Sequence, residues 1–188
     1  MLIIQEILGY FFIGLIGIAG LCLLYSPAYF ILRKKIPFSR QAAYLFFTAC
    51  IITILSATVF DSIIFSLMDR NGILADRHSL NLIPFQCFME IWLMGQQKQF
   101  TQTLANILMF VPLGFIFPIA CTKAQKLWKS TLCMALFSFL IEFIQYFIGR
   151  SADIDDLMLN TFGGMLGYGV FYAFSKLFHK EHNIKQKP

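Results

Sequence analysis

Charge is what this chain has least of. Only 13% of its 188 residues are Asp, Glu, Lys or Arg, about half the share in an ordinary soluble domain, roughly 25%. Hydrophobic residues make up 58%, and the mean hydropathy is +0.70. So few charges cannot cover a water-facing surface, which excludes a soluble globular domain and leaves an integral membrane protein. Also missing are a Gly-x-Ser-x-Gly elbow, a His-Glu-x-x-His pair, a phosphate-binding glycine-rich loop and a Cys-x-x-Cys pair. The common hydrolase, zinc-peptidase, nucleotide and dithiol signatures are therefore absent, and nothing in the sequence calls for a metal or a cofactor.

What the chain has instead is long apolar runs. Five spans of about 20 residues, enough for the roughly 30 Å hydrocarbon core, are expected near Ile7 to Leu32, Ala42 to Leu67, Thr103 to Cys121, Ser130 to Gly149 and Leu157 to Phe178. Runs this long and uniform suit helices rather than barrel strands. The expected fold is all-α, a polytopic transmembrane bundle forming a single domain over 1–188 without internal repeats. The first run reads as a retained signal anchor, since no Ala-x-Ala-like cleavage site follows it and nothing basic precedes it.

Basic residues set the expected orientation. Arg33, Lys34, Lys35, Arg40, Lys123, Lys126, Lys129, Lys176, Lys180, Lys185 and Lys187 all fall on one side of a five-span arrangement. The positive-inside rule makes that side cytoplasmic, with the amino terminus outside and the carboxyl terminus inside. The net charge of +5 then belongs to a face that meets anionic membrane lipids, and nucleic acid is not an expected partner. Of the five cysteines only Cys87 lies in an outer segment, so no external disulfide framework can form. His78 is the only outer histidine, which rules out a three-histidine metal site.

The long outer connection, Met68 to Gln102, contains NLIPF and FQCFMEIWLM. Pro84 disfavours helix at Ile83, so NLIPF is read as an extended or turning stretch. The second segment is amphipathic and is expected to lie in the membrane interface with Trp92 at headgroup level.

Polar residues inside the spans need a reason, because each costs a few kcal/mol or more in hydrocarbon unless partnered. At about 1.5 Å per helical residue, Asp61, Asn106, Glu142 and Asn160 lie roughly 5 to 10 Å below the outer ends of four helices. They would form one polar layer, with Arg77, His78, Arg150, Asp153, Asp155 and Asp156 above it. Glu142 and Gln145 share a helix face, as do Asp156, Asn160 and Gly163 or Gly164. Plainer readings stand beside this one: the two asparagines as interhelical hydrogen bonds, Gly163 and Gly167 as a close-packing pair, Pro112 and Gly114 as a bend or break in the third span. Arg150 is about 12 Å along the axis from Glu142, so Asp153 or Asp156 is the easier partner for it. The acids of the turn could hold a hard divalent cation, but such clusters are more often simply solvated.

The order NLIPF, NILMFVPLGF, IEFIQYFIGR, DIDDLMLNTFGGMLGY resembles the VanZ-like family of bacterial membrane proteins, named for a member linked to low-level teicoplanin resistance. The resemblance covers about Asn81 to Tyr168. Carried over by position, the family's pattern falls on Asn81, Pro84, Phe85, Asn106, Phe110, Pro112, Gly114, Glu142, Gln145, Arg150, Asp153, Asp156, Asn160, Gly163 and Gly167. It implies a membrane fold and a link to envelope antibiotics, and supplies no reaction.

The resulting expectation is an envelope protein of the bacterial cell membrane that recognises an amphipathic ligand at the outer leaflet, either a cell-wall lipid precursor or a glycopeptide or lipoglycopeptide. The expected ligand-binding residues are Arg77, Asn81, Asn106, Glu142, Gln145, Arg150, Asp153, Asp156 and Asn160, with the arginines meeting phosphate or carboxylate. The alternative is an intramembrane enzyme acting on a lipid or polyprenyl-linked head group, with Glu142 or Asp156 as general acid or base. A transporter or channel fits less well, because the cytoplasmic half of the spans is nearly devoid of polar residues.

Overall fold

The computed structural model describes residues 20, 25, 36–60, 63, 79–94 and 97–185. The first expected span apart from residues 20 and 25, together with Asp61, Arg77 and His78, lies outside them. Helix α1 (Phe38–Leu55) continues into a widened π-type turn over Ser56–Phe60. After the outer connection come strand β1 (Leu80–Asn81), helix α2 (Gln86–Met94) and helix α3 (Gln97–Ala120). A short 3₁₀ turn at Thr122–Ala124 leads to α4 (Leu127–Phe147), strand β2 (Ala152–Asp153) and the 32-residue α5 (Ile154–Lys185). The class is all-α, the strands being a single two-residue parallel pairing.

Among the described residues three helices are long and apolar enough to cross a membrane: Phe38–Phe60, Gln99–Ala120 and Leu127–Phe147. Helix α5 covers the expected fifth span, but Asn160, Thr161 and the glycines at 163, 164, 167 and 169 dilute its apolar character. Gly163, Gly164 and Gly167 serve packing. A Cβ on Gly163 would lie 2.2 Å from the Ile107 carbonyl oxygen, one on Gly167 2.1 Å from that of Val111, and one on Gly114 2.1 Å from that of Gly164. The backbones of α3 and α5 therefore touch, and theirs is the most extensive helix contact among the described residues. The same contacts bracket Pro112. Helix α3 runs uninterrupted through Pro112 and Pro118, so of the expected bend or break there is no break: close packing against α5 on both sides helps hold a helix that proline alone would disfavour.

The apolar core joins Ile54 and Val59 of the first helix to Phe110 and Leu113 of α3 and Met134 and Ile141 of α4. Away from it, Phe139, Leu140, Phe143 and Phe147 stand half-exposed on α4, as suits a face turned to lipid tails.

Candidate functional site

Helix α4 ends in a Schellman motif. Gly149 takes φ 82°, its N–H donates to the Tyr146 carbonyl (3.3 Å), and the Arg150 N–H reaches back to the Gln145 carbonyl (3.0 Å). Only glycine adopts that φ without cost. The reversal carries the chain into β2, where the Ala152 N–H donates to the Ser79 carbonyl (3.0 Å) and Leu80–Asn81 pairs in register with Ala152–Asp153.

Asp153 is the N-cap of α5. Its Oδ1 accepts the Asp155 N–H (2.9 Å), its Oδ2 accepts the Asn81 amide (3.1 Å), and its own N–H donates to Glu142 Oε2 (2.9 Å). Asn81 Oδ1 in turn accepts the Ile83 N–H (3.1 Å). Glu142 is 7% exposed, and its Oε1 has no hydrogen-bond partner among the described residues.

Asp155, 3% exposed, does what local sequence rules would not assign to it. Its two oxygens accept the N–H groups of Phe85 and Cys87 (2.8 Å for Cys87). It thus caps α2 from about 70 residues away. Phe85 needs this help, because its φ of 66° is a left-handed conformation that a bulky residue adopts only when the surroundings impose it. With both oxygens committed to backbone N–H groups, Asp155 is a structural anchor.

The remaining polar residues form separate contacts. Asn106 donates to Asp156 across α3 and α5, and Asn160 donates to Ser138 Oγ (3.0 Å) across α5 and α4, leaving Asn160 Oδ1 buried and unpartnered. Gln145 Nε2 (3.0 Å) and Arg150 Nη1 (3.3 Å) both donate to the carbonyl of Thr58, in the π-type turn. Burial, reinforced by the negative charge of Asp153, pushes the Asp156 carboxyl up to about 6.

Beside this belt lies a cavity of about 380 Å³. Phe139, Phe143, Tyr146 and Phe147 of α4 form one wall at helical spacing, Leu80 and Leu82 face them, and Ile154 and Leu157 of α5 close it. Ring centroids of Phe143 and Phe147 are 4.8 Å apart, edge to face. Among the described residues its only charged lining groups are Glu142 and Asp153. The size falls in the roughly 300–1,000 Å³ range of small-molecule pockets, and the mostly apolar lining with few polar groups is typical of them.

The model of the family described as VanZ/LLP1 matches residues 41–175, well over half of the chain. The chain belongs to the VanZ-like family. Protein VanZ of Enterococcus faecium is 29% identical over 101 residues, 53% of this chain and 56% of that protein, so the match spans little more than half of the relative's length. No solved structure matches. Membership in the VanZ-like family, linked to teicoplanin resistance, fits a role in antibiotic tolerance and a place in a membrane.

The VanZ-like pattern positions divide by location. Glu142 and Asp153 line the cavity and Asn81 is bonded to Asp153, whereas Asn106 with Asp156, Asn160 with Ser138, and Gln145 with Arg150 form three other contacts, none of them lining the cavity. Sequence reasoning missed Ser138, the Thr58 carbonyl and the capping role of Asp155. The Asp-x-Asp spacing at 153 and 155, an N-cap followed two residues on by the N–H it accepts, was a readable signal for the first cap; the second joins distant segments and carries none.

Proposed function

We propose that this VanZ-like protein recognises an amphipathic ligand at the outer leaflet of the cell membrane, seating its apolar portion against the α4 aromatic wall and its head at Glu142. The ligand would be a cell-wall lipid precursor or a glycopeptide or lipoglycopeptide, and binding it would contribute to tolerance of envelope antibiotics. The observation that carries this reading is the cavity itself: an apolar, half-exposed wall running into a buried carboxylate with one uncommitted oxygen. The reading places the whole chain as one multi-pass domain of five spans, amino terminus outside and carboxyl terminus cytoplasmic, so that the cavity opens in the outer leaflet beside α2.

An acid or base role would fall to Glu142, because Asp156 is away from the cavity and engaged by Asn106. Glu142→Gln tests the reading. The amide still accepts the Asp153 N–H, so the protein should reach the membrane at normal levels and lose its antibiotic-tolerance phenotype. Full tolerance in that variant would reduce Glu142 to a helix-to-turn link.

A further inference from the structure

The charge of the cavity selects among amphiphiles. Among the described residues the acidic lining groups are two carboxylates, Glu142 and Asp153. Asp153 has each oxygen occupied, one by the Asp155 N–H and one by the Asn81 amide. Glu142 has Oε2 occupied by the Asp153 N–H, while Oε1 is without a partner on a side chain more than nine-tenths buried. A carboxylate on the wall of a mostly apolar cavity gains most from a hydrogen-bond donor, and most of all from a cationic one. The nearest candidate for an anion-binding role, Arg150, does not line the cavity and donates to the Thr58 carbonyl instead. A phosphate head would bring negative charge against two carboxylates, with no cation among the described lining residues.

We infer that the cavity takes a cationic amphiphile, a molecule whose ammonium group donates to Glu142 Oε1 while its hydrocarbon portion lies along Phe139, Phe143 and Phe147. This rests on the amphiphile reading above and adds the sign of the head group, which disfavours a phosphate-bearing lipid precursor among the ligands named there. It assigns Glu142 as the selectivity residue and the aromatic stripe as the tail site, so the head and tail contributions are separable by substitution.

The test uses the full chain in phosphatidylcholine nanodiscs at neutral pH, with dodecylamine labelled by a fluorophore at its tail end, and with partition into empty nanodiscs subtracted. Unlabelled dodecylamine and dodecyl phosphate then compete for the site. The expected result is displacement by the amine at a concentration at least about ten-fold lower than by the phosphate, a gap corresponding to about 1.4 kcal/mol. Glu142→Gln should bring the two within about two-fold, within the loss of a single charged hydrogen bond, and Leu157→Trp, which narrows the cavity, should weaken both. Equal or better competition by dodecyl phosphate on the native chain overturns the cationic assignment and leaves the amphiphile reading standing. No binding above empty nanodiscs, unaltered by Leu157→Trp, overturns both. If Glu142→Gln does not fold, the ratio on the native chain decides alone.

Discussion

Removing the Asp155 carboxylate should release the start of α2, and Cys87 is placed to report it. Asp155 accepts two backbone N–H groups, from Phe85 and Cys87, and Phe85 is held at a positive φ. A hydrogen bond to a charged group contributes about 1.5 to 3 kcal/mol. Part of that returns when the freed N–H groups reach water at the interface, so a net loss of about 3 kcal/mol is expected for Asp155→Ala. At 1.4 kcal/mol per decade the local opening equilibrium shifts about 100-fold. Cys87 is 4% exposed, so a membrane-permeant maleimide labels it only through that opening. With the other four cysteines replaced by alanine, the labelling rate should rise by about two decades in Asp155→Ala and about one in Asp155→Asn, which keeps one acceptor oxygen. The Cys87 thiol supplies a second signature. Burial first, and then the hydrogen bond and negative charge of Asp155, push it up from 9.0 to about 11. Losing Asp155 therefore also moves the pH midpoint of labelling downward. A rate in Asp155→Ala within about three-fold of the native rate would refute the idea that this carboxylate anchors α2, since it would correspond to less than about 0.7 kcal/mol.

Gly167→Ala should overpack the α3–α5 contact, since its Cβ would sit 2.1 Å from the Val111 carbonyl oxygen; a loss of about 1 to 3 kcal/mol should lower the Tm in detergent, while Gly169→Ala, with nothing within 4 Å, should leave it unchanged, and equal Tm values would deny the close approach. The Asp156 carboxyl is pushed up from 3.8 to about 6, so between those values the folded state holds its proton better than the unfolded state and stability falls as pH rises through that window. Asp156→Asn keeps an acceptor for Asn106 and removes this titration, so its Tm should gain on the native value as pH rises from 4 toward 6, and a pH-independent difference would contradict the assignment. For topology, Trp92, 88% exposed on α2, is a better reporter than buried Cys87: Trp92→Cys should react with an impermeant maleimide from outside, a reporter fused after Pro188 should read as cytoplasmic, and the reverse pattern would invert the proposed orientation.

Sequence by itself determined the class of this molecule. Low charge and long apolar runs dictate membrane helices because hydrocarbon leaves backbone groups no partner but each other. The polar residues at 81, 106, 142, 145, 150, 153, 156 and 160 stood out for the same reason, being costly where they lie. The spacing of Gly163 and Gly167 foretold a tight helix contact, and Pro84 foretold the extended approach to α2. These are local properties, of length, period and residue type. Which polar group meets which was decided only by the tertiary structure. Arg150 reaches the Thr58 carbonyl across 92 residues, and Asp155 caps α2 from 70 and 68 residues away. Neither pairing has a sequence signature, because a carboxylate or guanidinium accepts any suitably placed partner, and placement follows from how the α3–α5 glycine contact and the Gly149 reversal set the helices together. The cavity is of the same kind: its aromatic wall is a legible stripe on α4, but its other side comes from β1, β2 and the first turn of α5, which only folding brings opposite.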